Sequence, residues 1–240
     1  MTKYKIVKDP KTSLRYRPSM KELFIIEEVQ REYKNVIFKD KTVLDAGAHI
    51  GASVYVAHRE GAKKIWAYEP MPETFKVLKS NWGKTKNIQL KNYALIGTHE
   101  KSLEFYIHPT YSSCNSSIKS NSKIPIKVKA LNFWDEVAKH KPQILKIDIE
   151  GGEFDFMLRQ NIPSYVEQVA IELHTTNNKR KRMAYKIIRK FNDWYANKSF
   201  SLKWYATVAV FSRKKIKTTD IKVKTFMKKK EMYKYIHSLE

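Results

Sequence analysis

Acidic side chains are concentrated at one point of an otherwise basic chain. Residues 148–155 read Asp-Ile-Glu-Gly-Gly-Glu-Phe-Asp, four carboxylates in eight residues. They finish the apolar run 144–149, which is typical of a strand buried on both faces. Because a buried carboxylate without a partner is costly, we expect these acids at the open carboxyl end of the strand, facing a crevice. Asp148 is the predicted catalytic residue there, since a carboxylate can orient a hydroxyl group or take its proton.

Glu172 and His174 are a second group of ionisable residues at a predicted strand end. They finish the run 168–173, which is predicted to be the neighbouring strand, and they share one parity along it. We therefore expect both to face the same crevice as catalytic residues, with His174 as a candidate general base because of its ordinary pKa. Asp148, Glu172 and His174 are also suitable ligands for a hard divalent cation, an alternative that the sequence leaves open. Our prediction is that no metal is bound.

A turn of small residues indicates a nucleoside site. In residues 43–51, Val-Leu-Asp-Ala-Gly-Ala-His-Ile-Gly, a predicted strand enters a turn and a helix follows. Glu69 comes 22 residues after Gly47, at the end of the next predicted strand, where an acid accepts hydrogen bonds from ribose hydroxyls. The glycine spacing differs from the dinucleotide pattern, and Asp45 would repel a pyrophosphate but attract an ammonium group. The cation S-adenosylmethionine, which has no phosphate, fits these features. The predicted cofactor site comprises Asp45, Gly47, Ala48, His49, Gly51, Glu69, Pro70 and Asp148.

Six motifs in this order resemble the FkbM-type S-adenosylmethionine-dependent methyltransferases. They are VLDAGAHIG (43–51), AYEPMPETFKVLKSN (67–81), NYALIG (92–97), YSSCNSSI (111–118), LKIDIEGGE (145–153) and VAIELH (169–174). The resemblance covers roughly residues 40–175. It implies a Rossmann-like class I methyltransferase fold, with a mostly parallel sheet of seven strands and helices on both faces. It also implies S-adenosylmethionine as methyl donor and, usually, O-methylation of a sugar-containing or otherwise hydroxylated acceptor.

The hydrophobic pattern predicts the same class of fold without the resemblance. Short apolar runs alternate with helical stretches, which is typical of an α/β fold with a parallel sheet. The predicted strands are 42–46, 64–68, 88–95, 103–107, 126–131, 144–149, 168–173, 199–205 and 207–212. The predicted helices are 21–33, 51–60, 72–82, 133–139, 153–159 and 179–197. We predict an N-terminal helical extension (1–40), a methyltransferase domain (41–212) and a basic C-terminal appendage (213–240).

The net charge bears on possible partners. The chain carries 47 Lys and Arg against 24 Asp and Glu, a formal net charge of +23. Such an excess suits a polyanion, and the run Lys179, Arg180, Lys181 and Arg182 is the predicted contact. The alternatives to a small hydroxylated acceptor are therefore an RNA or DNA methyltransferase and a non-catalytic nucleic-acid-binding module. A solvated helix face explains the same run without any partner.

Other features limit the class of protein. The single cysteine, Cys114, excludes an internal disulfide framework and a multi-cysteine zinc site. We see no secretory signal and no apolar run approaching the ~18 residues of a membrane span. The sequence thus predicts a cytoplasmic enzyme and indicates neither its acceptor nor its oligomeric state.

Overall fold

The computed structural model describes residues 4–108, 112, 124–196, 207–216 and 221–222. Its strands are β1 (Val7–Lys8), β2 (Arg15–Tyr16), β3 (Thr42–Ala46), β4 (Lys64–Tyr68), β5 (Ile88–Lys91), β6 (Ala94–Ile96), β7 (Ser102–Ile107), β8 (Ile124–Asn132), β9 (Ile144–Ile147), β10 (Gln168–Leu173), β11 (Tyr195–Ala196), β12 (Thr207–Ser212) and β13 (Ile221–Lys222). Its α-helices are α1 (Glu22–Glu32), α2 (Ala52–Arg59), α3 (Pro72–Trp82), α4 (Phe133–His140), α5 (Glu153–Met157) and α6 (Asn178–Arg189).

A central sheet organises the fold. Its described strands have the order β13-β11-β12-β10-β9-β3-β4-β5. The five strands from β10 to β5 run parallel, and β12, β11 and β13 continue the sheet in antiparallel pairs. The predicted α/β fold with a mostly parallel sheet is confirmed. The described sheet has eight strands rather than seven, and two of them, β11 and β13, are only two residues long.

Two apolar clusters cover the two faces of this sheet. Alternate residues of β3 belong to different clusters, Leu44 to one and Val43 to the other, as the period of two in a strand requires. Side chains of α4, α5 and α6 pack in the first cluster, and side chains of α1, α2 and α3 pack in the second. The helices therefore lie on both faces, and the carboxyl ends of the parallel strands stay open at one edge.

A second, smaller sheet arises where one strand was predicted. The run 88–95 divides into β5, which belongs to the central sheet, and β6, which pairs with β8; β7 completes a three-stranded sheet. The division falls at Asn92, whose side chain donates to the carbonyl oxygens of Glu69 and Pro70. The run alternates apolar and polar residues up to Lys91 and is apolar from Tyr93 to Leu95, and no local signal shows that Asn92 binds the chain after β4.

The ends of other elements also differ from prediction. Strand β9 ends at Ile147, and Asp148 then donates its backbone N–H to the carbonyl of Ala46 (3.0 Å). Helix α6 ends at Arg189, after which Phe191 and Trp194 turn into the core. The predicted strand 199–205 lies outside the described residues.

The N-terminal segment packs onto the central sheet. Ile26 and Val29 of α1 and the preceding Leu14 belong to the same apolar cluster as Val43 of β3. The division of the chain at residues 40 and 212 stays a prediction, and most of the segment 213–240 lies outside the described residues. In the described part of the chain, no helix combines the length and apolarity needed to cross a membrane.

Candidate functional site

A cavity of about 370 Å³ opens at the carboxyl ends of the parallel strands. One side is formed by residues that follow β3, β4 and β9, namely Gly47, His49, Glu69, Pro70 and Asp148. Another part of the lining comes from residues on or near the small sheet, including Tyr93, Leu95, Ile96, Leu103 and Phe105. Five of the eight predicted cofactor residues therefore meet in one cavity.

Gly47 lies in close contact with the chain after β9. Its φ is +83°, and a Cβ atom there would lie 1.7 Å from the carbonyl oxygen of Asp148. Only glycine avoids both the strained backbone and this overlap. The turn after β3 and the acidic segment after β9 are thus fitted to each other, although about 100 residues separate them in sequence.

Lys146 stabilises the contact between the Gly47 turn and the segment after β9. The sequence analysis assigned it no role. It is buried, and its Nζ donates to the Gly47 carbonyl (2.6 Å) and lies 3.2 Å from Asp45 Oδ1 and 3.7 Å from Asp148 Oδ2. Burial alone would lower the pKa of Lys146, but Asp45 and Asp148 outweigh burial and raise it. Asp45 also accepts from Ser53 Oγ and does not line the cavity. The only sequence signal for this arrangement is a lone lysine within a buried strand.

Glu69 is held rigidly at the end of β4. Its Oε2 accepts from the His49 N–H (3.0 Å) and its Oε1 accepts from the Met71 N–H (2.9 Å). Burial raises the pKa of Glu69 to about 7, against the lowering effect of these two hydrogen bonds. The carboxyl group therefore changes its charge near neutral pH.

His49, Ala48 and Gly51 have different surroundings. The His49 ring borders the cavity, and its Nε2 lies 2.7 Å from Ser112 Oγ; burial lowers the pKa of His49 to about 4. Ala48 is buried behind the turn. At Gly51 a Cβ atom would lie 2.4 Å from Nε1 of Trp82, which donates to the Gly51 carbonyl. Gly51 thus permits the packing of Trp82 and does not line the cavity.

His174 lies outside the cavity lining, within a group of carboxylates. Glu153 Oε1 accepts from its backbone N–H (2.8 Å) and from Nδ1 (3.2 Å), while Nε2 lies 3.4 Å from Glu150 and 3.8 Å from Glu172. Burial would lower the pKa of His174, but these three acids raise it to about 10. The imidazole is therefore protonated at neutral pH, a state that cannot accept a proton. Glu172 also lies outside the cavity lining, and burial together with Asp148 raises its pKa.

The alternative that a metal ion is bound involves nearly the same side chains as the group around His174. Ligand atoms of Asp148, Glu150 and His174 lie within 4.8 Å of one another, so Glu150 joins this group where the sequence suggested Glu172. The neighbouring acids raise the pKa of His174, so a cation that used this ring as a ligand would have to displace its proton, and the imidazolium charge already balances part of the acidic group. Glu153 begins α5, as expected. It is fully buried, and its carboxylate accepts from the Gly151 N–H (2.8 Å) and also orients His174.

The basic run at the start of α6 divides into buried and exposed members. Lys181 is buried, and the Arg180 guanidinium lies 5.7 Å from the Phe154 ring centroid. Lys179 and Arg182 are exposed, and they continue into an exposed stripe with Lys186 and Arg189, at a spacing that places all four on one helix face. None of the four forms an ion pair with another described residue.

Two residues of the N-terminal segment lie close to the His49 side of the cavity. Arg17 and Glu22 are buried and form an ion pair, and Glu22 Oε1 accepts from Ser112 Oγ (2.9 Å). The sequence analysis assigned no role to either residue. Arg17 and Glu22 are close in sequence, but their other partners, Thr74 and Ser112, are distant, and no local pattern indicates these contacts.

A glycine turn after β3 and an acid at the end of β4, in a mostly parallel sheet with helices on both faces, are typical of nucleoside-binding α/β proteins, among them the class I S-adenosylmethionine-dependent methyltransferases. The sequence of the methyltransferase FkbM domain matches residues 45–200. The chain belongs to this family of methyltransferases, and its cofactor is S-adenosylmethionine. Arg17 and Glu22 lie outside the matched residues.

Several solved methyltransferases resemble the chain weakly. The ribosomal protein L11 methylase from Lactobacillus delbrueckii subsp. bulgaricus is 13% identical, with a TM-score of 0.45 over 79% of this chain and 80% of that chain. The precorrin-6y C5,15-methyltransferase from Geobacter metallireducens is 9% identical, with a TM-score of 0.44 over 88% and 95%. M. capricolum TrmK in complex with S-adenosylhomocysteine is 14% identical, with a TM-score of 0.41 over 80% and 69%. Among curated proteins, none matches the chain in sequence.

Proposed function

We propose that this methyltransferase methylates a hydroxyl oxygen of a small acceptor, one that contains a sugar or is otherwise hydroxylated. The observation that carries the proposal is that Gly47, Glu69 and Asp148 line the same cavity as a group of apolar side chains. A cavity of about 370 Å³ is in the size range of small-molecule sites. It offers room for a nucleoside donor at one end and part of a small acceptor at the other.

The donor is expected at the end formed by Gly47 and Glu69. The missing side chain of Gly47 lets a ligand approach the backbone, and the Glu69 carboxylate accepts hydrogen bonds from ribose hydroxyls. Acidic residues lining the cavity favour a cationic donor, and the described lining contains no lysine or arginine. These acids are Glu69, Glu100, Asp148, Glu150 and Asp155.

The acceptor is expected at the end formed by the small sheet. Tyr93, Leu95, Leu103 and Phe105 supply apolar surface against which a ring can stack or pack. In the transfer, the acceptor oxygen forms a bond to the methyl carbon while the bond from that carbon to sulfur breaks, leaving S-adenosylhomocysteine. Holding these three atoms in line is the main task of the protein.

Asp148 is the proposed catalytic residue of this step. It is partly exposed, it lines the cavity, and its carboxylate accepts the hydroxyl proton or orients the hydroxyl group. Glu172 and His174 are proposed as positioning residues, because His174 joins the end of β10 to Glu153 and Glu150 at the start of α5. This arrangement supports the acidic segment that carries Asp148.

The exposed stripe on α6 favours a second candidate, in which the acceptor is RNA or DNA. Four exposed cations on one helix face, none of them paired with another described residue, would contact phosphates, and such binding weakens steeply with salt. The acidic lining of the cavity argues for the small acceptor, because it repels a phosphodiester. Charge reversal of Lys179, Arg182, Lys186 and Arg189 should abolish salt-sensitive nucleic acid binding if the second candidate is right. The matched control reverses four exposed lysines elsewhere, Lys63, Lys84, Lys86 and Lys101.

Calorimetric titration with S-adenosylmethionine and a labelled transfer assay test the first proposal. With ¹³C-methyl donor and a panel of methyl glycosides and other hydroxylated small molecules, we expect a product whose methyl carbon has the chemical shift of a methyl ether. Transfer to nitrogen or carbon would refute O-methylation. Transfer to polynucleotides alone would select the second candidate.

A further inference from the structure

A chain of buried polar groups connects the N-terminal segment to the cofactor turn. Both side chains of the Arg17–Glu22 ion pair are at most 3% exposed. Glu22 Oε1 accepts from Arg17 Nε (2.9 Å), and Glu22 Oε2 accepts from the Arg17 backbone N–H (2.6 Å). Ser112 Oγ then lies 2.9 Å from Glu22 Oε1 and 2.7 Å from His49 Nε2. The relay Glu22–Ser112–His49 therefore ends in the turn that borders the cavity.

The chemistry of these groups determines where the protons lie. A carboxylate accepts hydrogen bonds and donates none, so Ser112 must direct its single proton to Glu22. Ser112 Oγ then has only lone pairs for His49, and His49 must donate from Nε2. Because burial lowers the pKa of His49 to about 4, the ring is neutral and carries no second proton. His49 is thereby restricted to the Nε2–H tautomer, with Nδ1 as a bare acceptor.

His49, whose ring is restricted to one tautomer, also has a strained backbone and contacts Glu69. His49 has a φ of +52°, which a residue with a side chain adopts only when its surroundings hold it there. Its backbone N–H donates to Glu69 Oε2 (3.0 Å), one of the two bonds that fix this carboxylate. His49 Nδ1 is buried and has no hydrogen-bond partner among the described residues. Among the described residues, the ring is thus held by a hydrogen bond at Nε2 only, to Ser112.

We infer that Glu22 is a positioning residue for the methyl-donor site, acting through Ser112 to hold the His49 turn and the Glu69 carboxylate in place. Glu22 does not line the cavity, so its effect on the donor must pass through the His49 ring, which it reaches through Ser112 and whose Nε2 lies 3.7 Å from Glu22 Oε1. The donor site would then include part of the N-terminal segment, outside the residues that match the family. The inference rests on the proposed placement of the donor against Gly47 and Glu69.

A double substitution separates positioning from stability. Removing one partner of a buried ion pair is strongly destabilising, whereas replacing both with apolar residues is often neutral or stabilising. The variant Arg17→Met/Glu22→Leu should therefore melt at or above the temperature of the parent protein. Its affinity for S-adenosylhomocysteine, measured by calorimetry, should fall about tenfold, as expected for the loss of one positioning hydrogen bond.

The tautomer of His49 supplies a readout that stability alone would not change. In the double variant Ser112 has lost its carboxylate and is free to donate to Nε2, so His49 should move towards the Nδ1–H tautomer. Carbon and nitrogen NMR of labelled histidine, assigned with His49→Gln, reports this change. Ser112→Ala should weaken ligand binding similarly, and Ser112→Thr, which retains the hydroxyl, should restore it.

Thr74→Val is the matched control. Thr74 accepts a hydrogen bond from the same arginine (3.0 Å) but takes no part in the relay, so ligand affinity and the His49 tautomer should stay unchanged. If the parent protein binds no donor, the proposed function fails. If the parent binds and the folded double variant binds equally well with the same tautomer, the relay is refuted. Weakening by Ser112→Ala alone would assign the effect to direct contact with Ser112 and also refute a role for Glu22.

Discussion

The ionisation of Glu69 should make donor binding depend on pH. Burial places its pKa near 7, so the carboxyl group is about one-tenth ionised at pH 6 and about nine-tenths at pH 8. Only the carboxylate can accept two additional ribose hydroxyl hydrogen bonds while it accepts those from His49 and Met71. The apparent affinity is reduced by the fraction of protein in the competent state. We therefore expect the dissociation constant of S-adenosylhomocysteine to fall about tenfold from pH 6 to pH 8.

Calorimetry at pH 6, 7 and 8 measures this change, and Glu69→Gln is the control. The glutamine variant should bind weakly and with no pH dependence across this range. Neither His49, with a pKa of about 4, nor His174, with a pKa of about 10, titrates between pH 6 and pH 8. An unchanged dissociation constant in the parent protein, or an equal slope in the variant, would contradict the assignment.

The same shift should appear in stability without any ligand. The folded protein binds the Glu69 proton more tightly than the unfolded chain does, so the free energy of unfolding decreases as pH rises from 4.5 towards 7. The decrease is about 1.4 kcal/mol per pH unit, or about 3 kcal/mol in total, relative to Glu69→Gln. Denaturant titrations of both proteins at matched pH values measure the difference, and parallel curves would refute it.

Three other predictions concern the cavity. Gly47→Ala should lower the free energy of unfolding by more than about 3 kcal/mol in denaturant titration, because a Cβ atom would overlap the Asp148 carbonyl. The control is Gly61→Ala, where φ is similar (+82°) and a Cβ atom would have no contact closer than 3.7 Å. It should lower the free energy of unfolding by only about 1–2 kcal/mol. Asp148→Asn should reduce kcat by about 10²–10⁴-fold in the transfer assay, far more than it weakens donor binding in calorimetry, because four other acids line the cavity. An unchanged kcat would exclude a role in proton transfer. Activity should survive exhaustive chelation, since a cation in the acidic group would first have to displace the proton that the neighbouring acids hold on His174; loss that added Mg²⁺ restores would contradict this.

The fold was predictable because its signals are local. The period of two and the strong apolar content of the run 168–173 give β10 with the predicted bounds, and Pro72 marks the start of α3 as expected. The run 88–95 was assigned as one strand because nothing in its apolar pattern reports that Asn92 binds the chain after β4. The position at which the strand is interrupted is therefore determined by tertiary contacts.

The site was predictable only where a motif carries the chemistry. Gly47, Glu69 and Asp148 follow from strand ends and spacing, and all three line the cavity. The protonation of His174 depends on Glu153, 21 residues away, and the contact of Ser112 with Glu22 joins residues 90 apart. Such pairings require the folded chain.

The two walls of the cavity belong to different sheets. Gly47, Glu69 and Asp148 follow strands of the central sheet, whereas Leu95, Leu103 and Phe105 belong to the small one, which shares no described strand with it. The residues of the small sheet, where the acceptor is expected, can therefore change in evolution, or the whole small sheet can be replaced, while the register of the donor-binding strands is preserved. A lineage with this architecture can change what it methylates without having to rebuild how it holds the methyl donor.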